Sequence, residues 1–489
     1  MEVAGLALAI VATTDLCMKR GKTLVDICAS FKNAGTDIDE RLLCVKSHWK
    51  RTSVQLDFLR KIWETLDDDH RDIQTQILQV LIRKLDLASC KLERLFKPKT
   101  GQAYQSAAEV KRWKYALVKE SLNETIQDLA SWQNMFDPSW FLILRISNPL
   151  IDKELRRDDS ILSVLSNSVE FRSVVREDAI QQKSIFLPKA GVNFLNMNTI
   201  PFSSARCVQR TNSDKELARK LSGVDHVAFG ILQCQGVIRA TLPGSTTTTT
   251  FDFIFKLPPP LGNRPKTLRS HLILDVDCSL TDRVRAAKQL AKSVSYIHAL
   301  GFVHKNIRPE TVLVFPNGKD TLGSTYLAGF QNFRMTDGRT RLLGDSDWQK
   351  NLYRHPQRQG ESLQTEYTMQ HDIYSLGVCL LELGMWTSLV SYEDDTTGPV
   401  PAAALRISLT DVALKRPVHI KEHLVALAKA RLPARTGKKY QEIVFDCLTC
   451  LDPENVNFGN PEEFEDEDGI SVGVRYIEKI LLKLDEIVV

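Results

Sequence analysis

The sequence predicts a multidomain chain in which an all-α helical bundle precedes an α+β domain with two lobes. Apolar residues recur at helical spacing from Leu24 to about Phe136, and alternating, strand-like residues follow at Phe251–Lys256. A helix that ends at Gly301 then leads into the loop His304–Thr311. With 489 residues, the chain has room for about two or three domains, at roughly 150 residues each.

We expect the domains to meet in a charged connector. The segment Lys153–Asp159 alternates charges and carries no sustained apolar stripe, which is typical of an interdomain segment. The predicted division is a helical bundle over residues 1–150, a connector over 151–185, and an α+β domain over 186–489, with a small lobe at about 186–257 and a large lobe at about 264–489.

Three apolar stripes predict the helical bundle. From Ile73 to Leu85 apolar residues recur every four positions, which is the pattern of an amphipathic helix packed on one face. The segments Leu42–Trp63 and Val110–Leu129 follow three- and four-residue steps. Short polar connections between these helices favour antiparallel packing.

The amino-terminal segment resembles the HeLo-type domain (heterokaryon incompatibility, prion inhibition) of fungal proteins. Residues that carry the resemblance are the opening MEVAGLALAIVATTDLC, Lys22, Phe31, Asp37–Arg41 and His48–Trp49. The resemblance covers roughly residues 1–135. In that family the domain is a death effector whose apolar first helix enters membranes when it is released.

Membrane lipid is therefore an expected partner of residues 1–22, and the expected location is cytoplasmic with recruitment to a membrane. The uncharged stretch Val3–Thr14 is too short to span a bilayer, which needs about 20 residues. Apolar residues there could insert into lipid while Lys19, Arg20 and Lys22 meet anionic headgroups. A core helix with a solvated basic end explains the same spacing, and this alternative stays open.

Composition excludes other classes of function. The formal net charge of +4 is too small to predict a nucleic-acid partner, which requires a concentrated basic surface. The ten cysteines are scattered along the chain, unlike those of a secreted disulfide scaffold. Cys447 and Cys450 form one C-x-x-C, but no second ligand pair follows to complete a structural zinc site, so we expect no metal site.

The loop His304–Thr311 reads His-Lys-Asn-Ile-Arg-Pro-Glu-Thr, and residues 186–489 resemble the protein-kinase fold. The corresponding catalytic loop is His-Arg-Asp-Leu-Lys-Pro-Glu-Asn. Asn306 takes the place of the aspartate that accepts the substrate's proton, a step typically worth about 100-fold to 10,000-fold. Arg308 keeps the charge of the lysine with another donor geometry, and Thr311 replaces the asparagine that holds magnesium.

The resemblance identifies further altered positions after this loop. Gly329 stands where the metal-binding Asp-Phe-Gly supplies its aspartate, and Phe330 is retained. A glycine provides no carboxylate, so the magnesium that bridges the phosphates loses its main anchor. Asp372 matches an aspartate that braces the catalytic-loop backbone, and His304 belongs to the same internal scaffold.

The small lobe carries a weaker match. If Phe251–Lys256 precedes the hinge near Leu257, the phosphate loop lies near residues 186–205, where Gly191 is the only glycine; a phosphate-cradling loop needs several. Gln209 or Arg210 stands in register with the ATP-pairing lysine. Glu216 is the candidate for that lysine's glutamate partner, but the sequence favours a surface helix with ordinary charges at this position. ATP is therefore a weak candidate cofactor.

Altered chemistry on a retained scaffold favours a pseudokinase over an enzyme. We expect a fungal signalling protein in which the pseudokinase domain controls the HeLo-like effector, in membrane-directed cell death or incompatibility, through a protein partner. Two alternatives stay open. One is a divergent ATP-binding kinase with weak phosphotransfer, and the other is a non-enzymatic interaction scaffold.

Overall fold

The computed structural model divides the chain into two compact units, Met1–Arg172 and Ser173–Val489. It describes residues 2–32, 36–96, 107–157, 164–175, 192–210, 229–241, 249–257, 265–274, 277–316, 322–330, 334–335, 347–359, 366–392, 398–407, 417–458 and 470–489. The amino-terminal unit is a helical bundle, and the carboxy-terminal unit combines strands with helices. The finer domain limits given above stay a prediction.

Long helices build the amino-terminal unit. They are α1 (Glu2–Ala29), α2 (Thr36–Ile62), α3 (Asp68–Phe96), α4 (Ala107–Ile143), α5 (Pro149–Leu155) and α6 (Ser166–Val175). The predicted stripe of α3 is confirmed, because Ile73, Ile77, Leu81 and Leu85 are all buried. Helix α4 runs beyond the predicted Phe136 and contains Pro138.

Aromatic side chains form the core where α2 and α4 pack. Trp132 stacks on Phe136 with ring centroids 4.9 Å apart, and Phe58 meets Trp140 edge-on at 5.0 Å. Both buried indole N–H groups have acceptors: Trp132 donates to the Ile77 carbonyl (3.0 Å) and Trp140 to Ser168 Oγ (2.9 Å). Indoles bury well only when this donor is satisfied, so the two bonds fix α4 against α3 and α6.

Short antiparallel pairings organise the strands of the carboxy-terminal unit. The pairs are β1 (Val192–Thr199) with β2 (Arg206–Arg210), β3 (Gln233–Thr241) with β4 (Thr249–Lys256), β5 (Lys266–Thr267) with β7 (Val312–Phe315), β7 with β8 (Ser324–Leu327), β6 (Phe302–Val303) with β9 (Arg334–Met335), and β10 (Val390–Ser391) with β11 (Val400–Pro401). The predicted strand at Phe251–Lys256 is confirmed as β4.

The helices of this unit begin after β5 and are interleaved with the later strands. They are α7 (Leu268–Leu274), α8 (Leu280–Ala299), α9 (Trp348–Asn351), α10 (Met369–Met385), α11 (Pro417–Thr436), α12 (Lys438–Leu448), α13 (Ile470–Tyr476), a π-helical segment (Ile477–Leu482) and α14 (Lys483–Asp485). Helix α10 is buried along almost its whole length. It lies against α8 and α12. Its first turn carries Asp372, which contacts the loop His304–Thr311.

A serine side chain caps the start of α8. Ser279 is the N-cap, and its hydroxyl oxygen accepts the N–H of Asp282 at 3.1 Å. The Ser279 hydroxyl in turn donates to the Asp282 carboxylate at 2.8 Å. The cap thus satisfies one of the N–H groups that have no acceptor within the helix at its start.

Within the part of the chain that the structure describes, no helix offers a stretch both long and apolar enough to cross a bilayer.

Gly21 generates a test of the bundle's packing. A Cβ added to Gly21 would lie 1.9 Å from Cη2 of Trp49, a buried ring of α2. Gly21→Ala gains up to about 1 kcal/mol of helix propensity, but displacement of the indole should cost about 1–3 kcal/mol. We expect the urea midpoint of the helical unit to fall. In a Trp49→Leu background the same substitution should be neutral or stabilising, and destabilisation of equal size there would contradict this packing.

Candidate functional site

The loop His304–Thr311 connects β6 to β7 at the centre of the carboxy-terminal unit. Gly301 has φ +76°, which reverses the chain after α8, and Lys305 has φ +63°. Residues Pro309–Thr311 form a short 3₁₀-helix before β7. A lysine in the left-handed region costs about 1–2 kcal/mol, so surrounding contacts must hold this backbone.

Asp372 provides those contacts from the first turn of α10. Its Oδ2 accepts the N–H of His304 at 2.7 Å, and its Oδ1 accepts the N–H of Lys305 at 2.9 Å. His298 Nε2 lies 3.1 Å from Oδ2, and the Tyr367 hydroxyl donates to Oδ1 at 2.8 Å. Burial works against the charge of Asp372, but the bond from His298 and the other donors outweigh it and lower its pKa. A buried carboxylate with four donors is a rigid anchor.

His304 is fully buried and neutral. Its Nδ1 accepts the N–H of Asn306 at 3.3 Å, and Nε2 lies 3.0 Å from the Ala328 carbonyl, which can only accept. The proton is therefore on Nε2. Burial lowers the pKa of His304 to about 4, although Asp372 opposes the shift. The imidazole meets the Phe330 ring edge-on at 4.8 Å, so His304 and Phe330 form one packed pair.

The altered positions Asn306, Thr311 and Gly329 lie together in this structure. Asn306 Nδ2 donates to the Gly329 carbonyl at 3.1 Å. The Thr311 hydroxyl lies 2.8 Å from the Asn306 carbonyl and 2.9 Å from that of Arg308, and it accepts the N–H of Arg308 at 3.2 Å. We call these three residues the neutral cluster, since none of them carries an ionisable side chain.

The neutral cluster leaves no space for a side chain at Gly329. Gly329 has φ +84°, and an added Cβ would lie 2.4 Å from Thr311 Cγ2 and 3.3 Å from Asn306 Nδ2. An aspartate would therefore clash before its carboxylate was placed. Magnesium requires carboxylate or similar oxygen ligands in strict geometry, so these residues do not fit the metal that the kinase resemblance implies. Among the described residues, no group of three His, Cys, Asp or Glu side chains could hold a metal ion.

Two of the small-lobe candidates lie on one strand. Gln209 and Arg210 are the last residues of β2, paired with Asn193 and Val192 of β1. Glu216 lies outside the described residues, so its pairing with either of them stays a prediction.

Sequence reasoning missed a buried ionic network around Arg269 of α7. The guanidinium is fully buried and donates to Glu310 Oε1 (3.0 Å), Glu382 Oε1 (2.6 Å), Ser388 Oγ (2.6 Å) and the Tyr353 hydroxyl. Tyr353 in turn donates to Glu382 Oε2 at 2.8 Å. Arg269 stands between Leu268 and Ser270 in the sequence, a context that gives no signal for burial, and its partners are 41 to 119 residues away.

The network joins the catalytic-loop segment to α10. Burial penalises the charge of Arg269, but Glu382, Tyr353 and Glu310 outweigh it and raise its pKa. Burial raises the pKa of Glu382 despite Arg269, whereas Arg269 and Arg308 overcome the burial of Glu310 and lower its pKa. Arg269 is therefore cationic. Of the two glutamates, Glu310 is the more readily ionised, because its pKa is lowered while that of Glu382 is raised. Loss of one partner from such a buried set typically costs about 3–5 kcal/mol.

A second cluster joins the segment around His355 to α11. Lys421 forms an ion pair with Asp452, and its Nζ lies 3.5 Å from His355 Nε2. Burial, with Lys421 and His371 adding to it, lowers the pKa of His355 to about 3. Burial, with Arg358 adding to it, lowers the pKa of His371 to about 3 as well. Both imidazoles are therefore neutral in the folded protein at neutral pH.

Comparison with known proteins supports a limited similarity to kinases. No protein-family model matches the chain. Over 108 residues, 22% of this chain and 6% of the relative, it is 31% identical to a probable serine/threonine-protein kinase of Dictyostelium discoideum. Over 166 residues, 33% of this chain, it is 25% identical to nuclear receptor-binding protein 2 of Mus musculus and of Homo sapiens, covering 32% and 31% of those proteins. The chain thus spans under a third of the length of these relatives, and the HeLo resemblance stays a prediction.

Gly329→Asp tests the closed geometry of the neutral cluster. The left-handed backbone and the contact with Thr311 should together cost about 2–4 kcal/mol of unfolding free energy. Gly329→Ala, which adds the Cβ alone, should cost a similar amount. Differential scanning calorimetry with and without Mg²⁺ and ATP measures both effects. A magnesium-dependent rise in the Tm of the aspartate variant would contradict the steric argument.

Acid should destabilise the carboxy-terminal unit through its buried imidazoles. The folded-state pKa values of His304, His355 and His371 lie below the ordinary value of 6.5. Their contribution is therefore complete above about pH 6.5 and is lost as pH falls towards 4, by up to about 1.4 kcal/mol per pH unit for each group. His355→Gln should flatten the dependence of Tm on pH between 6.5 and 4.5. An unchanged slope would show that His355 is not neutralised by burial.

Proposed function

We propose that the chain is a non-catalytic signalling protein, with a kinase-like carboxy-terminal unit of two lobes that controls a helical amino-terminal effector. The observation that carries the proposal is the neutral cluster. Asn306 uses its amide to bond Gly329, Thr311 uses its hydroxyl on loop carbonyls, and Gly329 has no room for a carboxylate. Each group that would accept a proton or bind metal in a kinase thus has a structural partner instead.

The retained contacts support a role for the scaffold itself. Asp372 holds the backbone of His304 and Lys305, and Arg269 joins the catalytic-loop segment to α10. Phosphoryl transfer depends on positioned metal and charge, whereas a binding surface needs only a stable shape. A unit that keeps its frame without the chemical groups is suited to recognising a protein partner.

The proposed effector is the helical unit, with an action of the fungal HeLo type on a membrane in cell death or incompatibility. Its support is the resemblance of residues 1–135 and the long helix α1, in which the stretch Val3–Thr14 is uncharged. We propose that residues 1–22 contact anionic lipid from the cytoplasmic side, with the apolar face in the interface and the basic residues on headgroups. Nucleic acid is not proposed as a partner.

Absence of phosphotransfer tests the main proposal. The full chain, incubated with radiolabelled ATP, Mg²⁺ or Mn²⁺ and generic protein substrates, should transfer no phosphate above a sample without protein. Asn306→Asp should gain no activity, because the metal positions stay unfilled. Transfer by the unaltered chain that disappears in Asn306→Ala would overturn the proposal in favour of a divergent kinase.

Liposome leakage tests the proposed effector. Residues 1–150 should release dye from vesicles of phosphatidylcholine with phosphatidylserine, and the full chain should release less because the second unit controls the first. Replacement of Lys19, Arg20 and Lys22 by glutamine should weaken the effect, and vesicles of phosphatidylcholine alone should leak less. No leakage by either protein would favour the interaction scaffold instead.

A further inference from the structure

The connection between β1 and β2 comprises residues 200–205, the end of the range 186–205 in which the sequence placed a phosphate loop. Its first residue, Ile200, packs into the interior of the carboxy-terminal unit, whereas Pro201 and Ser204 are exposed. Ile200 is only 6% exposed and belongs to one apolar cluster that draws on four other parts of the unit. Its buried members besides Ile200 are Leu232, Leu313, Phe315, Tyr326 and Ala328, and Ala205, Phe255 and Leu257 pack against them.

This position lies between the β3–β4 hairpin and the β7–β8 pair. Leu232 and Phe255 come from the first hairpin and its approach, and Leu313 and Ala328 from the second pair and its exit. Ala328 also donates its N–H to the Thr311 carbonyl at 2.8 Å. Ile200 thus shares an apolar cluster with Ala328, which is bonded to Thr311 of the neutral cluster, and with Leu257 near the expected hinge.

Polar contacts hold the segment in this place. The Pro201 carbonyl accepts from Thr267 Oγ1 at 3.0 Å, and Thr267 is fully buried. Within the segment, the Ser203 N–H donates to the Ile200 carbonyl at 3.1 Å and the Ala205 N–H to Ser203 Oγ at 3.1 Å. The segment is thus a closed turn, anchored to β5 at one end.

Phe202 adds an anchor at some energetic cost. Its backbone has φ +60°, which costs a bulky residue about 1–2 kcal/mol. Its ring lies 4.7 Å from that of Tyr392, whose hydroxyl donates to Glu310 Oε1 at 3.1 Å. A strained backbone conformation persists only where surrounding contacts hold it. The contact with Tyr392 therefore fixes the segment to the Arg269 network.

We propose that residues 200–205 are an internal plug, which fills the space between the two hairpins and keeps an adenine nucleoside out. Ile200 supplies the apolar occupant, Pro201 the link to Thr267, and Phe202 the link to Tyr392. This inference rests on the proposed function and deepens it: the unit is closed to nucleotide by its own chain, in addition to lacking the groups that would use it.

Calorimetric titration of the full chain with adenosine and with ADP, both without Mg²⁺, tests the plug. The unaltered protein should bind neither, with a Kd weaker than about 1 mM. The double variant Ile200→Gly, Phe202→Gly opens the space and should bind adenosine at least about tenfold more tightly. Ser204→Gly alters an exposed residue of the same segment and serves as the matched control, which should resemble the unaltered protein.

Two results would overturn the proposal. One is adenosine binding by the unaltered protein as tight as that of the double variant; the other is a double variant with native circular dichroism that binds no adenosine. If the double variant does not fold, single cysteines decide: Ile200→Cys should react with a maleimide at least about tenfold more slowly than Ser204→Cys, by peptide mass spectrometry. Equal rates would show that position 200 is as accessible to solvent as position 204 and would contradict the plug.

The outcomes separate the plug from the proposed function. Adenosine binding by the unaltered protein without phosphate transfer would remove the plug and leave the non-catalytic assignment intact. Phosphate transfer by the unaltered protein would remove both. Binding by the double variant without phosphate transfer is the result that supports both.

Discussion

The contact between Gly329 and Thr311 is the constraint on which the carboxy-terminal unit's chemistry depends. Thr311 Cγ2 occupies the volume that any side chain at Gly329 would need. Once this volume is filled, the Asn306 amide finds its acceptor on the Gly329 carbonyl, and the Thr311 hydroxyl turns to the loop carbonyls. The three positions therefore depend on each other, and restoring one charged residue would leave it buried beside neutral partners, which is costly.

Around this neutral cluster the unit contains buried charged side chains that hold its backbone in place. Asp372 fixes the two residues that open the loop, and Arg269 fixes Glu310 near its end while it also holds Glu382 of α10. These two charged residues thus position the loop His304–Thr311. The plug of residues 200–205 adds apolar contacts through Ile200, and Tyr392 connects it to the Arg269 network.

The sequence predicted the parts of this account that depend on periodicity and on local chemistry. The stripe of α3 and strand β4 follow from spacing, and the missing carboxylate at Gly329 can be read from one letter. Three-dimensional facts could not be predicted. Nothing in the sequence places the Cγ2 of Thr311 against Gly329, since that contact depends on the meeting of β7 and β8. Arg269 and Ile200 were overlooked because their partners are distant in the chain, and an arginine or an isolated isoleucine in a loop carries no periodic signal.

The inability of the neutral cluster to hold a divalent cation is the central claim, and Mn²⁺ tests it most directly. Water-proton relaxation of Mn²⁺ with ATP reports slow tumbling when the cation joins a protein-bound complex. We predict that the unaltered full chain leaves the relaxation of Mn²⁺–ATP unchanged. A saturable enhancement that is lost on Asn306→Ala would show a cation held at this cluster and would contradict the account.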